Sequence, residues 1–241
     1  PGRGGRAVSA ILVFLLAVLG VVFWWLVRQG LFSKPWLEVG VAGGMPTVEP
    51  STPRAARVGL AVFLVVVGSL FALTVSAYLM RAGLGDWRPV RLPGILYVNT
   101  FTLLVSSLAL ETARTGARRG DLDSVRTGLL VGGFTALLFL AGQLLAWRQL
   151  HAEGYYLASN PANAFFYLVT ALHGAHVAGG LVALGRVTWR MLKGADVAAL
   201  RLGVGLCATY WHALLLIWLV LLGLLTSWIG DFILICRQLL A

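Results

Sequence analysis

Charge is what this sequence has least of. Only 12% of its 241 residues are Asp, Glu, Lys or Arg, against roughly 25% in a soluble domain. That shortfall excludes an ordinary soluble globular fold and a disordered chain. Acidic groups are scarcer still: nine, against 19 Lys plus Arg, for a net charge of +10. In a chain this apolar, with a mean hydropathy of +0.86, such a balance points to arginines in loops facing an anionic membrane surface rather than to nucleic acid. Cysteine is nearly absent. Cys207 and Cys236 are separated by most of an apolar span, and about 20 helical residues cover about 30 Å. That is beyond disulfide reach, so both read as free thiols. No CxxC cluster, helix-borne HExxH or phosphate-binding loop is present.

What is there is hydrocarbon-compatible sequence. Six stretches reach the length of about 20 residues that crosses a bilayer: Val8–Val27, Val58–Met80, Leu92–Leu110, Thr127–Trp147, Ala162–Gly185 and Leu202–Ile229. None contains Asp, Glu, Lys or Arg. The runs are continuous, not alternating, which excludes barrel strands. Lipid offers no partner to backbone groups, so the spans read as helices. The first follows Arg3 and Arg6 like a signal peptide. It is longer than an h-region of about 7–15 residues and lacks a small-residue cleavage site, so it reads as a true span.

The expected fold is therefore all-α and polytopic, with six transmembrane helices. Residues 1–57 form an N-terminal helix and a linker rich in Pro and Gly, residues 58–229 a five-helix bundle, and residues 230–241 a short tail. Loops between the five later spans should be about 11–16 residues. Partner contact is the expectation for the first helix and the linker. Phe232–Cys236 is too short to span and is expected at the membrane surface.

Three alternate loops carry twelve of the 19 basic residues: Arg28, Lys34, Arg54 and Arg57; Arg114, Arg118, Arg119 and Arg126; Arg186, Arg190, Lys193 and Arg201. The positive-inside rule places them in the cytoplasm, with both termini outside. Small residues at Gly128, Gly132 and Ala136, and at Ala171, Ala175 and Gly179, recur every four positions and are candidate close-packing seams. Tyr78, Trp87, Tyr97, Trp147, Tyr155, Tyr156, Trp189 and Trp228 cluster at span ends as an aromatic belt. Trp24, Trp25, Trp211 and Trp218 lie deeper and read as packing.

His151 falls in a loop and carries no particular signal. His173 and His176 share one helix face, and His212 lies midway along the last span. The plain reading is neutral, hydrogen-bonded residues between helices, with all three converging between the fifth and sixth spans. Haem or metal ligation and a lipid or proton-path role stand beside it. Glu111 ends the third span with Arg114 three residues on, which reads as an ion pair. The functional alternative is a proton-collecting carboxylate. Glu111, Arg114, Arg119 and Arg126 are expected at one rim of the bundle.

Leu172-His173-Gly174-Ala175-His176-Val177, followed by Ala178-Gly179-Gly180, resembles the HGxHV-type signature of cytochrome c oxidase subunit III. Tyr210-Trp211-His212 with Ile217-Trp218-Leu219 resembles that family's YWH…VW motif. Leu92-Pro93 to Asn99-Thr100, Ser106-Ser107, Gln143 and Asn163-Ala164-Phe165-Phe166 resemble further family segments, over about Val58 to Ile229. One helix, not the family's two, precedes the matching five, and no glutamate stands near Val67 or Ala146 where many members carry one.

The resemblance implies a non-catalytic subunit of a haem–copper terminal oxidase, reducing O₂ to water in aerobic respiration. Its partners would be the catalytic subunit I, subunit II and phospholipid, in a bacterial-type inner membrane, with a larger supercomplex also open. Haem and copper would sit in the partner subunits, and none in this chain, which has no catalytic residue of its own. His173, His176, Tyr210, Trp211, His212, Asn99, Glu111, Arg114, Arg119 and Arg126 become the lipid or proton-path candidates. Alternatives are a quinol oxidase subunit III and an independent membrane protein with His-ligated haem.

Overall fold

The computed structural model describes residues 53–88 and 90–226. The expected span Val8–Val27, most of the linker, Trp24, Trp25, Trp228, Cys236 and the tail lie outside the described residues. Among the described residues the structure is all-helical, with five helices long and apolar enough to cross a membrane. They are α1 (Pro53–Ala82), α2 (Ile95–Arg119), α3 (Leu122–Ala152), α4 (Pro161–Leu192) and α5 (Val197–Leu225). The chain divides into two compact units within α1, between Ser69 and Leu70.

Local chemistry sets the helix ends. Pro161 opens α4 behind Asn160, whose side chain accepts the N–H of Ala162. Asp121 caps α3 by accepting from the N–H groups of Asp123 and Ser124. Gly120, at φ 79°, adopts the left-handed conformation that closes α2. Only Gly120 and Asp121 therefore join α2 to α3. This corrects the expectation of a loop of 11–16 residues: the charged turns Glu111–Arg119 and Asp123–Arg126 stay helical beyond the apolar runs. Hydroxyls inside the spans return to the helix, as Thr74 does to the carbonyl of Leu70 at 2.8 Å.

In the second unit α2 packs on α3 and α5, and α4 packs on α3 and α5, a closed ring of four. The α2–α3 seam is built by absent side chains. A Cβ on Gly128 would stand 2.4 Å from the Ala109 carbonyl oxygen, and one on Gly132 would stand 2.9 Å from Leu110 Cγ. Ala136, next in that stripe, is fully buried. The second expected seam is not formed. Ala171, Ala175 and Gly179 are exposed, and α4 meets α5 through Gly180, where a Cβ would lie 2.6 Å from Tyr210. The outer surface is apolar, with Leu73, Phe101, Phe134 and Leu216 more than 60% exposed, while Asn99, Ser106, Ser107, Gln143, Thr170 and His173 are buried.

Candidate functional site

Rotation along α5 decides which side chains meet. Tyr210 and Trp211 face α4 across Gly180, and the Tyr210 hydroxyl donates to the carbonyl of His176 at 2.9 Å. His212, about 100° further round the helix, points to α2 instead. Its Nδ1 lies 2.6 Å from the Ser107 hydroxyl and its Nε2 lies 3.0 Å from Glu111 Oε2. Arg114 donates to the same carboxylate oxygen at 3.2 Å. The expected convergence of His173, His176 and His212 is thus corrected: His212 belongs to a separate cluster with Ser107, Glu111 and Arg114.

The pairing explains how charge is carried here. Glu111 stands eight residues before the end of α2, about 12 Å at 1.5 Å per residue, at the edge of the apolar run. Arg114 answers it from the next turn, as expected, and His212 answers it from α5. Glu111 and His212 retain 37% and 39% side-chain exposure, so the cluster opens sideways from the bundle. With a neutral ring, Nε2–H donates to Glu111 and Nδ1 accepts from Ser107. With a charged ring both nitrogens donate, and Ser107 oxygen accepts.

A hydroxyl–imidazole–carboxylate row invites a hydrolase reading. Ser107 is 1% exposed, so no acyl substrate reaches it and the row is not a nucleophile. Arg119 and Arg126 do not join the cluster. They are exposed near the α2–α3 turn, at the same end of the bundle as Glu111 and Arg114 in the preceding turns of α2.

His173 is fully buried. Its ring stacks among Trp218 at 5.1 Å, Phe139 at 5.6 Å and Phe71 at 6.2 Å, and neither nitrogen makes a hydrogen bond. It lies between helices as expected, but as an aromatic plate and not as a hydrogen-bonded residue, because the surrounding rings offer no acceptor in line. His176 is half-buried, with Nδ1 2.7 Å from its own helix carbonyl at Leu172. Nearby, Trp218 donates to Thr100 at 2.9 Å and Trp147 donates to Thr170 at 3.0 Å. Asn99 presses on α3 where a Cβ at Gly142 would come within 2.0 Å of its Oδ1. Gln143, beside it, has both amide atoms unpaired. Trp211 and Trp218 are fully buried, as read from the sequence.

The bond sequence reasoning missed is His212–Glu111. A signal existed: Glu111 closes the third apolar run, and His212 is the only residue with an ionisable nitrogen inside the last one.

Comparison with known proteins agrees with this architecture. Residues 56–230 match the family model described as cytochrome c oxidase subunit III. The chain is 31% identical over 178 residues to the cytochrome c oxidase subunit 3 of Thermostichus vulcanus, covering 72% of this chain and 87% of that one. It is 29% identical to the cytochrome c oxidase subunit 3 of a Synechocystis species, over 70% and 74% of the two chains. It is 30% identical to the probable cytochrome c oxidase subunit 3 of Mycobacterium bovis, over 70% and 86%.

Proposed function

Because the chain belongs to the cytochrome c oxidase subunit III family, we propose that it is the redox-silent wall of a haem–copper oxidase. It is an integral membrane subunit of an oxidoreductase complex. In our reading, subunit I carries the haem and copper chemistry and subunit II stands beside it. This chain covers a face of subunit I, retains phospholipid against it and sustains proton uptake through repeated turnover. The basic loops face the cytoplasm of a bacterial-type inner membrane and both termini face out. Cytochrome c is the donor in this reading and a quinol the alternative, which the donor specificity of the purified oxidase decides.

A supporting and non-catalytic role is favoured by how the histidines are used. Both ring nitrogens of His212 are engaged by protein, His176 has one engaged by its own helix, and His173 is enclosed by aromatic rings. Among the described residues no three His, Cys, Asp or Glu side chains are grouped so as to share a metal ion.

The observation that carries the reading is the Glu111–His212 contact with Arg114 and Ser107, a carboxylate–imidazole pair held between two helices of an otherwise apolar bundle. Its test is Glu111→Gln in the assembled oxidase, following O₂ consumption over successive turnovers. Activity should decay faster than in the wild type. An unchanged decay would remove Glu111 from proton uptake. Co-purification of the tagged chain with a haem-bearing subunit tests the wider claim, and its failure would overturn the assignment to a complex.

A further inference from the structure

At the far end of α3 from the Glu111 cluster lies a cavity of about 400 Å³, lined by Leu144, Trp147, Arg148, His151, Leu157 and Tyr167. That volume is within the range of small-molecule sites. Its walls are fixed by contacts that point away from the space. Trp147 spends its N–H on Thr170, and Tyr167 donates its hydroxyl to the Tyr155 carbonyl at 3.0 Å. Both rings are therefore left to present apolar surface, with centroids 6.1 Å apart. The ring of His151 is held edge-on by Tyr156 at 4.8 Å. The two basic groups occupy the last turns of α3, and the aliphatic lining comes from Leu144, a turn deeper in the helix, and from Leu157 in the loop beyond it.

We propose that this cavity is a binding site for one anionic glycerophospholipid, distinct from any lipid held in the interior of the oxidase. The phosphodiester would sit on the Arg148 guanidinium, which can offer it two parallel N–H donors, with His151 beside it. The glycerol backbone and the first acyl carbons would lie on Trp147, Leu144, Leu157 and Tyr167. Charge selects the occupant. The rim carries Arg148 and His151, and no acidic side chain lines the cavity, although Glu153 follows two residues later in the chain. The site depends on membrane residence and not on the Glu111 reading.

The test uses the assembled oxidase in lipid nanodiscs doped with photoreactive diazirine phosphatidylglycerol or with its phosphatidylcholine analogue, followed by peptide mapping. Labelling of the peptide containing residues 144–157 should be about fivefold stronger with the anionic lipid, the preference expected from one basic side chain at a membrane surface. Labelling around Leu73, on the exposed face of α1, should not discriminate and serves as the reference for bulk lipid. Arg148→Gln should abolish the preference at residues 144–157, and Arg148→Lys should retain most of it. Equal labelling by both lipids in the wild type would mean bulk lipid only and overturns the proposal. So does the absence of labelling, which would mean that another polypeptide fills the cavity, and so does a preference that survives Arg148→Gln together with His151→Gln.

Discussion

Replacing Gly128 with alanine tests whether the α2–α3 seam, and not its polar contacts, sets the helix spacing. The new Cβ would lie 2.4 Å from the Ala109 carbonyl oxygen and 2.7 Å from both the Cβ and the amide nitrogen of Ala113. Ordinary van der Waals contact begins near 3.4 Å, so the helices must part by about 1 Å. The obstacle is largely backbone and cannot rotate aside. Overpacking costs about 1–3 kcal/mol, occasionally more, and a gap of about 1 Å forfeits up to half the dispersion well along the rest of the seam. The loss should therefore reach about 3 kcal/mol. Gly133→Ala is the internal control, since its Cβ meets only Leu184 Cδ2, at 3.5 Å. It should be neutral, or better by up to about 1 kcal/mol through helix propensity. The assay is the denaturant midpoint of the purified oxidase in mild detergent, read by helical signal and by release of this subunit. Coincident midpoints for Gly128→Ala and Gly133→Ala would refute the reasoning.

Two further outcomes follow from buried and capping groups. Gln143 is 2% exposed with both amide atoms unpaired, so Gln143→Leu removes no hydrogen bond and should leave the same midpoint unchanged or raised by about 1 kcal/mol; a clear loss would show that the amide has a partner in the assembled complex. The Asp121 carboxyl is held below its ordinary pKa, first by the Ser124 hydroxyl and then by the N–H groups of Ser124 and Asp123. Its contribution to stability is therefore present above the ordinary carboxylate pKa of about 3.9 and is lost as pH falls through the lowered value. Asp121→Asn keeps a capping acceptor that does not titrate, so the variant's midpoint should fall less steeply than the wild type's below about pH 4, and parallel curves would exclude the cap as the titrating group.

The spans were legible because hydrocarbon imposes a length and forbids unpaired charge, and both constraints are written in one dimension. The azimuth of a side chain is not. The stripe Gly128, Gly132, Ala136 and the stripe Ala171, Ala175, Gly179 look alike in sequence, yet only the first faces a neighbour. On α4 the contact falls one residue later, at Gly180, because the bulky Tyr210 and Trp211 require their space there. The three histidines were grouped by their apolar surroundings, and a single step along α5, from Trp211 to His212, sends the imidazole to α2. The loop between α2 and α3 was overestimated for a related reason. Hydropathy reports where lipid ends, whereas the helix ends only where Gly120 turns left-handed and Asp121 caps the next one.

In a bundle surrounded by lipid, apolar burial gives no net drive for helices to associate, and what remains is close packing and internal hydrogen bonding. The two contributions divide here by task. Gly128, Gly132 and Gly180 fix how near the helices come, because each excludes so much as a methyl group. Trp218–Thr100, Trp147–Thr170 and Ser106–Gly132 fix their register at three levels, each bond worth only about 0.6 kcal/mol on average in such a setting. None of those groups exchanges a proton near neutral pH. Ser107–His212–Glu111 makes a contact of the same kind between α2 and α5, yet it contains a carboxylate and an imidazole and is open at its side. Register alone would be served by a hydroxyl and an amide, which avoid the cost of holding charge at a helix–helix contact on the edge of the span. That surplus cost is the physical ground for the proton-uptake role proposed for this cluster, whereas the other contacts need no more than a structural one.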